Sequence, residues 1–236
     1  MEAFQLLQRV GVSAWKVGSG EVTNAPLLEA MAKTGLPVIL SSGMSSLAET
    51  DAAVAIFKQN KNDLTILQCS TTYPCPPEQI GLNMLPVFRE RYSCKVGLSD
   101  HSGTIYPSLA AVTLGAQMIE VHVTLNREMF GPDVSSSLTT SELKQLVEGI
   151  RIIEKILMNP IDKDSIAIEK KDLKIIFGKS IVAARDLPEG TILSNEHLTL
   201  KKPGTGLDPQ MLKTVIGRTL KRQLQVNQQL SKEDYE

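Results

Sequence analysis

The sequence predicts an α/β fold in which parallel strands alternate with helices around a barrel. Three observations predict it. Apolar runs at 12–17, 37–41, 64–69, 95–98 and 118–123 recur at intervals of roughly 20 to 30 residues, helical patterns fill the gaps, and every run ends in a polar cluster. Short aliphatic runs of this kind read as strands buried on both faces. In an open doubly wound sheet only the loops at a switch in strand order converge on a ligand, whereas the decorated strand ends of a barrel all share one mouth.

The elements follow in order. A helix-like segment at 3–10 precedes the first run, so the chain enters in the middle of a repeat. Helical patterns follow at 24–34, 46–58, 85–92 and 107–114, the second opening on the capping box Ser46-Leu47-Ala48-Glu49. The fifth run leads through a long loop to a helix at 140–157, where Thr139-Thr140-Ser141-Glu142 offers a second capping box. A (β/α)8 TIM-type barrel needs eight strands, so the chain represents such a barrel by its last five, with about three unaccounted for. A partial barrel domain is therefore expected over 1–158, a charged linker over 159–175 and a small β-rich domain over 176–236. The last carries short β-like runs at 180–184, 191–193 and 198–200, with turn signals at Pro188-Glu189-Gly190 and Pro203-Gly204-Thr205-Gly206. Its size makes it a marginal fold unless it docks on something.

Composition excludes several function classes. The 25 basic and 26 acidic side chains balance to a net charge of -1, which argues against nucleic acid as a partner. No apolar run reaches the roughly 18 to 20 residues needed to span a bilayer, and Met1-Glu2-Ala3-Phe4-Gln5 lacks a signal pattern, so no membrane partner and a cytoplasmic location are expected. Cys69, Cys75 and Cys94 have no CxxC spacing and support neither a disulfide framework nor a zinc knuckle. Cys69 ends an apolar run and reads as a buried thiol rather than a nucleophile.

Only three histidines occur, and two of them close short apolar runs: Lys95-Val96-Gly97-Leu98-Ser99-Asp100-His101 and Met118-Ile119-Glu120-Val121-His122. If these are neighbouring parallel strands, both imidazoles emerge at the carboxyl-end rim where a β/α barrel carries its chemistry, a placement that suggests a divalent metal site. The bland alternative is one loop histidine and one packed at a strand end.

Five ordered motifs resemble the sialic acid (N-acetylneuraminate) synthase family. They are Lys16-Val17-Gly18-Ser19-Gly20-Glu21, Leu40-Ser41-Ser42-Gly43-Met44, Gln68-Cys69-Ser70-Thr71-Thr72-Tyr73-Pro74, Gly97-Leu98-Ser99-Asp100-His101, and Glu120-Val121-His122 through Gly131-Pro132-Asp133. The tail, with Gly178-Lys179-Ser180-Ile181-Val182-Ala183 and Asp186-Leu187-Pro188-Glu189-Gly190, resembles the SAF (antifreeze-like) domain that follows the barrel in that family.

The resemblance implies a metal-dependent condensation of phosphoenolpyruvate with an N-acylated amino sugar such as N-acetylmannosamine, releasing phosphate and forming a nine-carbon 2-keto acid. It implies manganese or magnesium on His101 and His122, where the ion would polarise the sugar aldehyde. Lys16, Ser19, Ser41 and Ser99 match positions that hold phosphoenolpyruvate, and Lys16 joins the histidines in the expected catalytic set. Glu21, Tyr73 and Asp133 would read the sugar, although Glu21 could instead cap a helix and Asp133 could make an Asx-turn. Two positions depart from the family pattern. Thr71 stands where asparagine is frequent, keeping a hydroxyl but losing an amide donor, and Lys202 stands where arginine reaches the sugar in a partner's site, keeping charge without the bidentate fork. The family also implies a domain-swapped homodimer.

Without its opening strands the barrel is expected to have two open edges and weak or no synthase activity. Two other readings stay open: a phosphoenolpyruvate-dependent synthase acting on a sugar phosphate, as in heptulosonate and octulosonate synthesis, and a non-catalytic carbohydrate-binding remnant. The acidic Glu21 and Asp133 disfavour a phosphorylated co-substrate.

Overall fold

A computed structural model describes residues 1–236 as two units, Met1–Pro160 and Ile161–Glu236. In the first unit, a six-stranded parallel sheet runs in the order β1 (Trp15–Val17), β2 (Val38–Ser41), β3 (Leu64–Cys69), β4 (Lys95–Asp100), β5 (Met118–Thr124) and β6 (Ser137–Thr139). Helices α1 (Glu2–Val10), α2 (Ala25–Ala32), α3 (Leu47–Gln59), α4 (Met84–Tyr92), α5 (Tyr106–Thr113) and α6 (Thr140–Leu157) alternate with the strands.

Local chemistry sets the helix ends. Asn24 caps α2, its side chain accepting from Leu27 N, and Pro26 stands in the first turn, where a missing N–H costs nothing. Ser46 and Glu49 close the expected capping box on α3, as Thr139 and Glu142 do on α6. Glu142 also accepts two 2.8 Å contacts from Arg127, and these partners, with the Thr139 cap, hold its carboxyl down at about 2. Because the folded pKa lies below the ordinary 4.5, the stabilisation is complete above pH 4.5 and is lost as pH falls from there toward about 2. Glu142→Gln is accordingly expected to flatten the fall in Tm across that window; an unchanged acid limb in scanning calorimetry would remove Glu142 from the acid response.

Alternation along each strand sorts side chains onto two faces. Trp15, Val17, Val38, Leu40, Leu64, Ile66, Val96 and Leu98 pack against the helices in one core with Leu28, Phe57, Leu85 and Phe88. Phe57, Leu40, Ile66 and Val96 are fully buried, each worth about 1.5 to 3 kcal/mol relative to exposure. The intervening residues, including Lys16, Ile39, Ser41, Leu67, Cys69, Ser99, Glu120 and His122, belong to the opposite face. That face is concave. A flat sheet would separate β1 from β5 by roughly 19 Å at about 4.8 Å per strand, yet Lys16 Nζ lies 3.2 Å from Glu120 Oε1.

The structure departs from the sequence expectations at several points. The segment read as a long loop after the fifth run contains β6, which pairs His122, Val123 and Thr124 of β5 with Ser137, Leu138 and Thr139. Three residues are too few to show periodicity, and the pairing exists only once β5 is placed. It also carries β5 two residues beyond His122, so that histidine lies within a strand rather than at its end. The first strand is shorter than 12–17 and the fourth runs on to Asp100.

Residues 159–175, read as a linker, hold α7 (Lys163–Glu169) and most of α8 (Lys171–Phe177). Asp162 caps α7 by accepting from Asp164 N, and the density of charge hides a helical pattern without a buried face. In the same unit β7 (Ser180–Ala183) pairs antiparallel with β8 (Leu198–Lys201), and α9 (Leu212–Val215) follows. The run at 191–193 joins no ladder and contributes only the bridge between Ile192 and Thr219. Ile181, Leu193, Val215, Leu220, Leu224 and Leu230 form this unit's own core. No helix is long and apolar enough to cross a membrane.

Candidate active site at the carboxyl ends of the strands

Three connected clusters occupy the carboxyl-end side of the concave face. The first joins four strands. Lys16 from β1 donates to Ser41 Oγ of β2 at 2.8 Å and pairs with Glu120 of β5, while Ser99 of β4 donates to the same Glu120 Oε1 at 2.6 Å. Ser41 and Ser99 are buried, whereas Lys16 and Glu120 keep about a third of their side chains in contact with solvent, at 34% and 39%. An ammonium flanked by hydroxyls at the bottom of a cup can hold a small anion.

A second cluster surrounds Gly43. The Gly43 N–H donates to Ser19 Oγ at 3.0 Å, and Ser19 in turn donates to Cys69 Sγ at 3.6 Å. A Cβ on Gly43 would lie 2.5 Å from Thr71 Oγ1, 2.7 Å from Ser19 Oγ and 3.0 Å from Cys69 Sγ, so three polar atoms converge on space only glycine leaves open.

The third cluster is aromatic. The Tyr73 ring lies 4.2 Å from the His101 ring and 5.8 Å from His122, and the two imidazoles meet edge-on at 5.0 Å. His101 Nδ1 lies 2.9 Å from the Ser70 carbonyl, and His122 Nδ1 lies 3.6 Å from Asp133 Oδ2. Burial pushes the His101 pKa down, but hydrogen bonding to the Cys69 thiol and the Ser70 carbonyl outweighs it and leaves the pKa raised. The Cys69 thiol is lowered in turn: burial opposes this, and His101, Ser19 and Ser99 overcome it. Burial raises the Tyr73 phenol, helped by the negative charges of Cys69, Asp133 and Glu120.

The fold thus gathers Lys16, Ser41 and Ser99; Ser19 and Thr71; and His101, His122, Tyr73 and Asp133. Glu21 belongs to none of the three clusters: it accepts from Asn24 Nδ2 at 2.7 Å beside the start of α2 and lines one cavity with Lys16. Lys202 belongs to the second unit, where its ammonium lies 5.0 Å from the centre of the Phe177 ring, a cation–π distance. Sequence reasoning missed Glu120 and the hydrogen-bonded role of Cys69. Alternation could have found Glu120, which lies two residues before His122 and so on the same face. No cluster of three or more His, Cys, Asp or Glu side chains is arranged to hold a metal ion.

Comparison with known proteins identifies the family. The NeuB family model matches residues 1–162 and the SAF domain model residues 178–236. The chain is 38% identical over 221 residues to N,N'-diacetyllegionaminic acid synthase of Campylobacter jejuni subsp. jejuni serotype O:2, covering 92% of this chain and 66% of the relative. It is 36% identical over 222 residues to human N-acetylneuraminate-9-phosphate synthase, covering 92% and 60% respectively. It also superposes on the N-acetylneuraminic acid synthetase of Leptospira borgpetersenii serovar Hardjo-bovis with a TM-score of 0.68 and 35% identity, over 73% of this chain and 62% of that one. The chain therefore spans 60 to 66% of the length of these relatives. With the family model matched across the whole first unit and the SAF model across most of the second, the chain belongs to the NeuB family of sialic acid synthases.

Proposed function

We propose that this chain supplies the phosphoenolpyruvate and metal sites of a synthase that condenses phosphoenolpyruvate with an N-acylated amino sugar, releasing phosphate and giving a nonulosonic acid. The observation that carries this reading is the meeting of Lys16, Ser41, Ser99 and Glu120 across four strands of one concave face, beside the His101–His122 pair.

The residues fit a divalent ion, manganese or magnesium. His101 holds Nδ1 against a backbone carbonyl, the arrangement that orients a metal-ligating imidazole and leaves its other nitrogen available, and Asp133 stands near the corresponding atom of His122. Two protein nitrogens would leave coordination positions for substrate and water. Bound there, the ion would supply Lewis-acid polarisation of the sugar aldehyde.

The chain's own groups do the rest. Lys16 and Ser41 bind the phosphate or carboxylate of phosphoenolpyruvate, with Ser19 and Thr71 offering hydroxyls around the Gly43 N–H. Ser99 holds Glu120, and Glu120 aims the Lys16 ammonium. Orientation of the enol carbon toward the aldehyde contributes through proximity. Tyr73, Asp133 and Glu21 contact the sugar, and Lys202 reaches it from the second copy in a domain-swapped, cytoplasmic homodimer.

Titration calorimetry with Mn2+ tests this reading. A stoichiometric site lost in both His101→Ala and His122→Ala is expected, with phosphoenolpyruvate binding enhanced by the metal. A folded wild-type chain that binds neither ligand would overturn the proposal in favour of a carbohydrate-binding remnant. Light scattering that finds only monomer would overturn the swapped dimer.

A further inference from the structure

Asp100 ends β4 on its helix-facing side, is 3% exposed, and forms no ion pair with lysine, arginine or histidine. A buried carboxylate without a cation is costly unless its oxygens are satisfied. Two donors satisfy it. Ser102 N donates to Oδ1 at 2.8 Å, and the Ser108 hydroxyl donates to Oδ2 at 3.0 Å. Ser108 is fully buried in the first turn of α5, a helix whose preceding residue, Ile105, makes no side-chain cap. The carboxylate thus serves the helix start from a distance, where the helix dipole favours negative charge.

His101 lies between these anchors. Its carbonyl accepts from Cys75 N at 3.0 Å, and its Nδ1 meets the Ser70 carbonyl at 2.9 Å, so the β3–α4 loop grips it from one side while Asp100 ties the chain to α5 on the other. The Ser70 carbonyl can only accept, which requires the proton on Nδ1 and leaves Nε2 as the ring's acceptor nitrogen. That selection works only if the ring is held at this carbonyl.

We propose that Asp100 and Ser108 are positioning residues that fix the neutral His101 imidazole in its Nδ1–H tautomer by locking residues 100–102 between β4 and α5. Neither side chain faces the concave site; both act through the backbone on either side of His101. The proposal rests on the functional reading above only for the use His101 makes of its acceptor nitrogen, not for the tautomer itself.

Long-range 1H–15N correlation spectra of the metal-free full chain, taken where the imidazole is neutral, test it directly. Wild type is expected to show His101 as a single Nδ1–H tautomer. In Ser108→Ala, which adds no bulk and suits a helix, Nε2–H should appear as a substantial second population, with His197 unshifted as the internal control. Asp100→Asn retains one acceptor and should lie between the two. Mn2+ affinity should fall about 10- to 100-fold in Ser108→Ala, the range for losing a partner that orients a ligand. An unaltered tautomer in folded Ser108→Ala and Asp100→Asn would overturn the positioning role. A shifted tautomer in a protein whose wild type binds no Mn2+ would uphold positioning while overturning the metal reading.

Discussion

Lys16→Ala is expected to weaken phosphoenolpyruvate binding by about 10- to 100-fold, because charge-assisted hydrogen bonds are worth roughly 1.5 to 3 kcal/mol. Lys16 supplies the cation in the cluster with Ser41, Ser99 and Glu120. Without it the anion would meet two hydroxyls and the Glu120 carboxylate, and attraction would become repulsion. The side chain is about one-third exposed, so salt screens part of the effect, and the loss should shrink as ionic strength rises. Lys16→Arg keeps the charge but replaces a compact ammonium between Ser41 and Glu120 with a planar fork, so it should recover only part of the affinity. Calorimetric titration of phosphoenolpyruvate at two salt concentrations measures both effects. Equal affinity in wild type and Lys16→Ala would place the anion elsewhere.

Gly97→Ala should destabilise the first unit by about 3 kcal/mol, lowering its Tm by roughly 6 to 12 °C. Gly97 is paired with Met118 across β4 and β5, and a Cβ there would run into the Met118 carbonyl oxygen and approach Leu67 Cδ2 to 2.6 Å. A flexible side chain could turn aside, but a backbone carbonyl in a ladder cannot move without breaking its register. Displacement of Met118 would also carry Glu120 and His122, two and four residues further along β5, out of line with Ser99 and His101. Reduced Mn2+ affinity should therefore accompany the lower Tm. Calorimetry should resolve the effect on the first unit, since the second has a core of its own. A Tm within 1 °C of wild type, on the order of the error for a surface change, would show that the strands slide apart freely.

Much of the fold is legible in short stretches of chain. Apolar runs mark the first five strands because burial on both faces makes a nearly continuous run, which the polar cup at the carboxyl ends closes in serine, threonine, aspartate or histidine. The capping boxes at Ser46 and Thr139 mark helix starts because the reciprocal bonds involve residues three apart. The second unit is harder to read. Its two paired strands are short, the run at 191–193 joins no ladder, and α7 and α8 look like a solvated linker because charged residues crowd them and neither buries a residue. β6 is invisible locally, since three residues become a strand only against the end of β5.

The sequence by itself determined the alternation of strands and helices, the polar rim, and the list of groups able to take part in chemistry. Of the residues its family motifs singled out, all but Glu21 and Lys202 stand in the three clusters, which also take in Glu120 and Cys69. Only the tertiary structure decided which of them meet. The approach of Lys16 to Glu120, the convergence of Ser19, Thr71 and Cys69 on Gly43, and the pinning of His101 between Ser70 and Asp100 all depend on how far the sheet curls and where its loops turn back. Periodicity and capping arise from neighbours a few residues apart. Sheet curvature is the sum of many strand twists and helix contacts, so no local pattern in the chain encodes it.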